Sequence, residues 1–306
     1  MSPLRYRNLA GYLREKYGAP LRKICVDGGF TCPNRDGTAG FGGCIFCGER
    51  GAGEHLDPTA SIREQVARGL SAGDGGRILY FQNFTNTYAP LPVLKERYDA
   101  ALTDERIRVF AVGTRPDCIT GPIADLLASY RRGREVWVEL GLQTANDDTA
   151  DRIGRGYHRD VFERAMKILG ERGLPVIVHL IIGLPGEGPD DLQKTAEYLS
   201  RFSLFGIKIH SLYVMEGTRL AELYRAGGYV PPTLEEYVEA VCMLLPRINR
   251  GTVIHRLTGD CPAGLLLAPE WSRDKNKVLA AIRKKMEETG LTQGCLAGDL
   301  PIFPAP

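Results

Sequence analysis

Three cysteines lie within one glycine-rich loop, whose sequence CPNRDGTAGFGGCIFC carries Cys32, Cys44 and Cys47. Closely spaced thiolates are the usual ligands of iron–sulfur clusters, and a cubane [4Fe–4S] cluster normally takes four of them. A loop that supplies only three leaves one iron open to a small molecule, much as catalytic zinc sites keep one position open. The spacing therefore predicts a [4Fe–4S] cluster that takes part in catalysis.

Structural zinc is the competing interpretation of the same loop. Cys32, Cys44 and Cys47 could form a tetrahedral site together with His55 downstream, and spacing alone does not separate the two metals. Phe46 lies inside the CIFC turn, where its ring would flank the open side of a cluster and could stack on an adenine. A zinc-stabilised binding module is thus the alternative outside enzymology.

The composition is that of a folded protein in a reducing compartment. The 306 residues are 43% hydrophobic and 25% charged, with a formal net charge of +2, which is typical of globular domains and does not by itself indicate a nucleic-acid partner. The longest apolar stretch, around residues 176–184, is well short of the roughly 20 residues of a membrane helix. Eight cysteines are too few for a disulfide scaffold. We expect a cytoplasmic protein without a membrane span.

Short apolar runs alternate with helical patterns along the chain. The runs that predict buried strands are RILYFQNF, RVFAVGT, VWVELGLQ, PVIVHLIIG and GIKIHSLYV. The patterns that predict helices cover residues 4–17, 59–71, 91–102, 121–131, 160–172 and 189–203. This alternation is typical of parallel βαβ units, and therefore of a Rossmann-like sheet or a β/α barrel whose ligands lie at the carboxyl ends of the strands.

The last quarter of the chain departs from this alternation. It predicts a helix at 233–247, a weak strand at 252–257 and a basic helix at 273–288. We therefore expect an N-terminal helix over residues 1–17, a core barrel over 18–232 and a small α/β extension over 233–306.

The cysteine loop resembles that of radical S-adenosylmethionine enzymes, in a YhcC/YtqA-like branch whose first gap is widened from three residues to eleven. The resemblance continues in order through FTNTYAP, GTRPD, VELGLQT, RIGRGYHRD, HLIIGLPGE, IKIHSLYVMEGT and RLTGDCPAGLLLAPEW. Several segments are also similar to the radical domain of the elongator-complex subunit that modifies tRNA, and to oxygen-independent coproporphyrinogen oxidase. The resemblance implies a partial (β/α)6 TIM-like barrel of the radical S-adenosylmethionine type.

The same resemblance implies the cofactors and the reaction. Cys32, Cys44 and Cys47 would ligate a [4Fe–4S] cluster, whose open iron would chelate S-adenosylmethionine. Reductive cleavage would yield a 5′-deoxyadenosyl radical that abstracts hydrogen from a substrate, and a low-potential electron donor of the flavodoxin or ferredoxin type would be the partner. The elongator likeness and the basic 273–288 segment indicate tRNA modification as one hypothesis. A small metabolite or tetrapyrrole is the alternative substrate.

Candidate cofactor-binding residues lie near the strand ends. Alternation puts Glu139 on one face with Gln143 at the strand's end, and a buried carboxylate needs a ligand or a nearby arginine as partner. The resemblance implies that Gln143 and Arg155 contact the methionine part of the cofactor. It places His179 at the ribose or the substrate. The backbone that would approach the adenine edge is that of Gly183, Leu184 and Pro185.

The segment FQNFTNTYAP departs from the glycine-glycine-glutamate motif that is common in this superfamily. Gln82, Asn83 and Thr85 offer neutral oxygen acceptors there, and we assign them to the cofactor by position. Further along, His210 and Lys208 share strand parity, so both point either into the barrel or out of it. His210 is the candidate catalytic residue.

Overall fold

A computed structural model describes residues 4–51, 53–262 and 264–298. Its strands are β1 (Arg22–Val26), β2 (Arg77–Phe81), β3 (Ile107–Thr114), β4 (Glu135–Gln143), β5 (Val176–Ile182), β6 (Gly206–Ser211), β7 (Val214–Met215), β8 (Val253–Arg256) and β9 (Leu266–Ala268). Seven of them form one parallel sheet in the order β1-β2-β3-β4-β5-β6-β8. β7 and β9 form a separate antiparallel pair.

Ten α-helices are present in the described ranges, most of them between consecutive strands. They are α1 (Leu9–Tyr17), α2 (Ile62–Leu70), α3 (Leu91–Ala101), α4 (Gly121–Ser129), α5 (Asp147–Arg152), α6 (Arg159–Gly170), α7 (Pro189–Leu199), α8 (Arg219–Arg225), α9 (Leu234–Leu244) and α10 (Lys275–Glu288). None of the helices in the described part of the chain is long and apolar enough to cross a membrane.

The parallel sheet is curled into an open half-barrel. The ring centroids of Trp137 on β4 and His255 on β8 are 5.3 Å apart, although β5 and β6 lie between these two strands in the sheet. Only a curved sheet brings those positions together on its inner face. At the far edge, the amide of Ile254 on β8 donates to the carbonyl of Arg7 at 2.7 Å, so the N-terminal segment covers part of that edge.

Helix α1 closes the amino-terminal end of the half-barrel. Its ends are well defined, because the Asn8 side chain accepts from the amide of Gly11 at 2.8 Å and Gly18 ends the helix with φ at +70°. Tyr12 of α1 packs against Trp137 and Phe205, with ring centroids 6.3 and 5.3 Å away. The lower interior of the half-barrel is therefore an apolar core, and open space begins above it.

The predicted fold class is confirmed, and every strand and helix predicted from the sequence is present within a few residues. Five elements were not predicted: β1, whose RKICV sequence carries two cations, the separate short strands β7 and β9, and the short helices α5 and α8. The weak strand at 252–257 is β8, which joins the main sheet as its seventh strand. The division of the chain at residue 232 remains a prediction.

Candidate functional site

The cysteine loop runs over residues 32–51, between β1 and α2, and backbone hydrogen bonds fix it to the core. The amide of Ile45 donates to the carbonyl of Ile153, and the amide of Leu220 donates to the carbonyl of Ile45, each at 2.9 Å. The side chain of Asn34 donates to the carbonyl of Gly154 at 2.6 Å. These contacts hold the loop against the end of α5 and the start of α8.

Glycines shape the loop around its second cysteine. Gly42 and Gly43, directly before Cys44, have φ values of +75° and +77°, a backbone region that residues with a Cβ rarely adopt. A Cβ on Gly40 would lie 2.3 Å from the side-chain oxygen of Asn34. The tight turn thereby brings Nδ2 of Asn34 to 3.7 Å from Sγ of Cys44.

The chemistry of the three thiols fits an iron–sulfur cluster. Burial, and then the neighbouring Cys47 and Cys32, raise the pKa of Cys44 to about 12. Burial also raises the pKa of Cys47, while Arg35 and Arg115 oppose that shift. Guanidinium groups beside thiols favour the thiolate, which is the form that metals bind. In the ranges that the structure describes, no three His, Cys, Asp or Glu side chains are placed to hold a single metal ion.

A cavity of about 460 Å³ lies between the cysteine loop and the interior of the half-barrel. The predicted site residues that line it are Phe46, Cys47, Gln82, Gln143, His179 and His210. Other strand residues along its wall are Lys23, Cys25, Tyr80, Lys208 and Arg256, and loops contribute Glu54, His55, Asp260 and Cys261. The cavity is therefore large enough for a small-molecule ligand and borders the cysteine loop directly.

Glu139 is buried behind His179 and Lys208, which line this cavity and are its two titratable partners. Its Oε2 accepts a hydrogen bond from Nε2 of His179 at 2.7 Å and forms an ion pair with Nζ of Lys208. Burial alone would raise the pKa of Glu139, but Lys208 and His179 outweigh burial and hold that pKa well below its usual value. Glu139 is thus an ionised carboxylate whose partners are a lysine and a histidine, and no arginine. Its contact with the cofactor, the other alternative, remains a prediction.

The two histidines of the cavity are held close to each other. The rings of His179 and His210 lie 5.3 Å apart between centroids. Burial lowers the pKa of His179 even though the Glu139 hydrogen bond opposes the shift. Burial, and then His179 and Arg256, hold the pKa of His210 well below its usual value. Both imidazoles are therefore neutral near pH 7.

Gln143 is held in an unusual backbone conformation at the carboxyl end of β4. Its φ is +61°, which is rare for a residue other than glycine. Arg155 donates to the carbonyls of Leu142 and Thr144 on either side of it, and to the carbonyl of Tyr157 at 2.8 Å. Arg155 is fully buried, and its Nη2 forms an ion pair with Asp147 at 3.4 Å. It therefore fixes the backbone on either side of Gln143 and does not itself line the cavity.

The remaining predicted residues lie outside the cavity. Asn83 donates to Oδ2 of Asp27 at 2.7 Å, and the amide of Thr85 donates to the carbonyl of Thr31 at 3.2 Å. These contacts tie β2 to the chain that enters the cysteine loop. A second cavity of about 660 Å³, between the end of β5 and α9, is lined by Gly183, Leu184 and Pro185. Their assignments to the cofactor remain predictions.

Several residues of the site were not assigned a role from the sequence. Arg115 lies in GTRPD and Asn34 and Arg35 lie in the cysteine loop, but nothing in their spacing shows that they approach the thiols. Lys23 could have been found by strand parity, because RKICV alternates as a strand does. The adjacent cation, Arg22, masked that signal.

Comparison with known proteins agrees with this geometry. The model of the Radical SAM superfamily matches residues 32–199, and the model of the Radical_SAM C-terminal domain matches residues 205–288. The uncharacterized protein YtqA of Bacillus subtilis is 38% identical over 296 residues, which cover 95% of this chain and 92% of YtqA. Protein YhcC of Escherichia coli K12 is 36% identical over 291 residues, which cover 94% of both chains.

One solved structure supports the fold. The archaeal Elp3 of Methanocaldococcus infernus, with its N-terminus deleted, aligns with a TM-score of 0.68 and 19% identity. The alignment covers 89% of this chain and 64% of that chain, so this chain matches somewhat less than two thirds of the archaeal protein.

Proposed function

The chain belongs to the radical S-adenosylmethionine superfamily, and from this membership we propose that it abstracts hydrogen from a substrate held in the cavity below the cysteine loop. Members of the family carry a [4Fe–4S] cluster and S-adenosylmethionine, and when bound these supply reductive cleavage to a 5′-deoxyadenosyl radical. One observation supports the proposal that substrate binds in this cavity. The same cavity is lined by Cys47 of the cysteine loop and, at its base, by His179, Lys208 and His210.

Cys32, Cys44 and Cys47 are the proposed cluster ligands. They are the three thiols of the loop, and Arg35 and Arg115 lie where they favour thiolates. A matched pair of variants tests this assignment. Cys44→Ala should abolish cluster binding and 5′-deoxyadenosine formation, whereas Cys295→Ala, at an exposed cysteine, should leave iron content and visible absorbance unchanged. Loss of the cluster in the Cys295 variant would refute a ligand set of three.

Four lining residues are the proposed contacts of S-adenosylmethionine, namely Phe46, Gln82, Gln143 and His179. Phe46 offers an aromatic face beside Cys47, and Gln143 offers an amide from a fixed backbone. Arg155 acts on the cofactor through Gln143, as a positioning residue. Glu139 likewise acts through His179, because its carboxylate holds the imidazole at 2.7 Å.

The closed end of the half-barrel protects a reactive intermediate from water. Trp137, Tyr12 and Phe205 pack together beneath the cavity and leave α1 as a lid over the amino-terminal ends of the strands. Excluding solvent in this way limits side reactions of reactive species. Substrate therefore enters from the side of the cysteine loop and residues 260–262.

Two substrate classes fit the site, and different observations favour them. Modification of tRNA is suggested by the sequence resemblance to the elongator-complex subunit that modifies tRNA. The basic helix α10 argues against RNA, because Lys275, Lys284 and Lys285 form ion pairs with Asp260, Glu288 and Glu239 at 2.6, 3.7 and 3.0 Å. A face of paired cations has less charge available for phosphates. A small metabolite or tetrapyrrole is the second candidate.

An anaerobic assay separates the two substrate classes. The protein is incubated with dithionite and S-adenosylmethionine, and 5′-deoxyadenosine is measured with total tRNA or with a metabolite pool. If tRNA is the substrate, it accelerates 5′-deoxyadenosine release, and binding weakens steeply with salt. No acceleration and no tRNA retention at low salt would exclude the RNA hypothesis. If dithionite yields no 5′-deoxyadenosine, either alone or with any of the substrates, the proposed activity is contradicted.

The physiological electron donor that we propose is a flavodoxin or ferredoxin of low potential. All eight cysteines are free thiols, which is consistent with the reducing cytoplasm that such a donor requires. Replacement of dithionite by either carrier in the same assay should support 5′-deoxyadenosine formation.

A further inference from the structure

The base of the cavity carries more positive than negative charge. Three strands supply one cation each: Lys23 on β1, Lys208 on β6 and Arg256 on β8. Among the described strand residues around that base, Glu139 is the carboxylate that faces them. The two acidic side chains that line the cavity, Glu54 and Asp260, come from loops at its mouth.

Glu139 offsets the charge of one cation only. Its Oε2 binds Lys208, and the same oxygen also accepts from His179. Nζ of Lys208 lies 4.5 Å from the ring centroid of Tyr80, and Nζ of Lys23 lies 5.1 Å from the same centroid. Two ammonium groups therefore share one aromatic ring and one carboxylate, which leaves the base of the cavity electropositive.

Arg256 is only weakly neutralised. Nη2 of Arg256 is 3.5 Å from Oδ2 of Asp260, and the other oxygen of that carboxylate is 2.6 Å from Nζ of Lys275. Asp260 is thus shared between two cations and is closer to the lysine. The guanidinium of Arg256 keeps donors for a further acceptor in the cavity.

Two imidazoles beside these cations lack hydrogen-bond partners. Nε2 of His210 and Nε2 of His255 are buried, and neither has a hydrogen-bond partner among the described residues. Burial lowers the pKa of Lys208, with Glu139 opposing the shift, and Lys208 in turn lowers the pKa of both imidazoles after burial. A bound negative charge would favour the protonated forms of Lys208 and of the imidazoles, which burial disfavours. It would also give His210, which lines the cavity, the partner that it lacks.

We propose that the base of the cavity binds an oxyanionic group of the substrate, a phosphate ester or a carboxylate, through Lys208, Arg256 and His210. The inference rests on the proposed function in one respect, that the substrate occupies this cavity. An oxyanion supplies several acceptors at once, and bonds from lysine and arginine to such oxygens are stronger than neutral hydrogen bonds. The group would anchor the substrate at the base, with its reacting carbon toward the cysteine loop.

Calorimetric titration of the cluster-loaded protein with inorganic phosphate and with acetate tests the proposal. Saturating S-adenosylmethionine is present throughout, so that the open iron is occupied. We expect saturable binding of at least one anion. Tighter binding of phosphate would identify the oxyanionic group as a phosphate ester, and tighter binding of acetate would identify it as a carboxylate. Arg256→Met should weaken binding by at least about tenfold, the effect of losing one charge-assisted hydrogen bond.

A second cationic pocket provides the control. Lys16, Arg106 and Arg108 line a cavity of about 500 Å³ outside the closed end of the half-barrel. Arg108→Gln should leave anion binding unchanged, and His210→Gln should weaken it. Absence of saturable binding, or equal weakening by Arg108→Gln and Arg256→Met, would overturn the proposal. 5′-Deoxyadenosine formation is measured separately, so its loss with intact anion binding would count against the proposed function alone.

Discussion

Two glutamates on the inner face of one strand serve different purposes. Glu135 begins β4 and accepts hydrogen bonds from Tyr12 at 2.9 Å, Tyr17 at 2.5 Å and Trp137 at 2.7 Å, and it pairs with Lys16 at 2.8 Å. Glu139, four residues later, binds the two titratable groups His179 and Lys208. The first carboxylate is saturated by donors that fasten α1 to the barrel. The second keeps titratable groups in place beside a cavity.

Removal of the first carboxylate should produce the largest loss of stability. Glu135→Ala leaves the buried donors of Tyr12 and Trp137 without an acceptor and detaches α1 from the barrel. We expect the free energy of unfolding to fall by about 3–5 kcal/mol, as when one partner of a buried network is removed. Urea denaturation measures this change. A loss below about 1 kcal/mol would mean that α1 is held by its apolar contacts alone.

Replacing each of the two glutamates by glutamine shows which carboxylate supports activity. Glu139→Gln leaves Lys208 without a counter-ion and His179 without its acceptor, so both move relative to the cavity. We expect substrate-dependent 5′-deoxyadenosine formation to fall about 100-fold, the effect of a misplaced group near the reacting atoms. Stability should fall by only about 1–2 kcal/mol, because Lys208 can release its proton.

Glu135→Gln is the matched control for that measurement. It removes a charge from the same strand but leaves the cavity intact, so its activity should stay close to wild type at temperatures where it is folded. Equal losses of activity in the two glutamine variants would show that either change disturbs the whole of β4. The two carboxylates would then not have separate structural and functional roles.

The contrast also shows what the sequence can and cannot predict. Strand alternation showed that Lys208 and His210 share one face of β6, since parity is a local property. It did not show which face, and the structure places both at the cavity. The partners of Glu135 could not be predicted, because Tyr12 is 123 residues away in the chain. Arg155 shows a further limit, since a guanidinium suited to a carboxylate is equally suited to backbone carbonyls.

A third carboxylate, that of Glu187, extends the comparison. Its effect on the free energy of unfolding is smaller and depends on pH. Burial raises the pKa of Glu187 to about 7, with Thr144 donating to Oε1, while Oε2 is buried without a partner. The folded protein thus holds this proton more tightly than the unfolded chain does. The protonated Glu187 contributes fully to stability below about pH 4.5, the usual glutamate pKa. This contribution is lost as the pH rises through about 7.

Glu187→Gln should remove this pH dependence. Relative to the variant, wild type should lose about 1–3 kcal/mol of unfolding free energy between pH 4.5 and 7, and no more above that range. Thermal unfolding of both proteins across pH 4 to 8 measures the difference. Parallel curves would show that Glu187 is ionised in the fold, like Glu139.

Mössbauer spectroscopy of the iron-57 cluster, with and without S-adenosylmethionine, tests the central claim most directly. Three cysteine ligands in one loop predict that a single iron of the four changes its isomer shift when the cofactor is added. A spectrum in which all irons stay unchanged, and so are already saturated by the protein, would contradict the account.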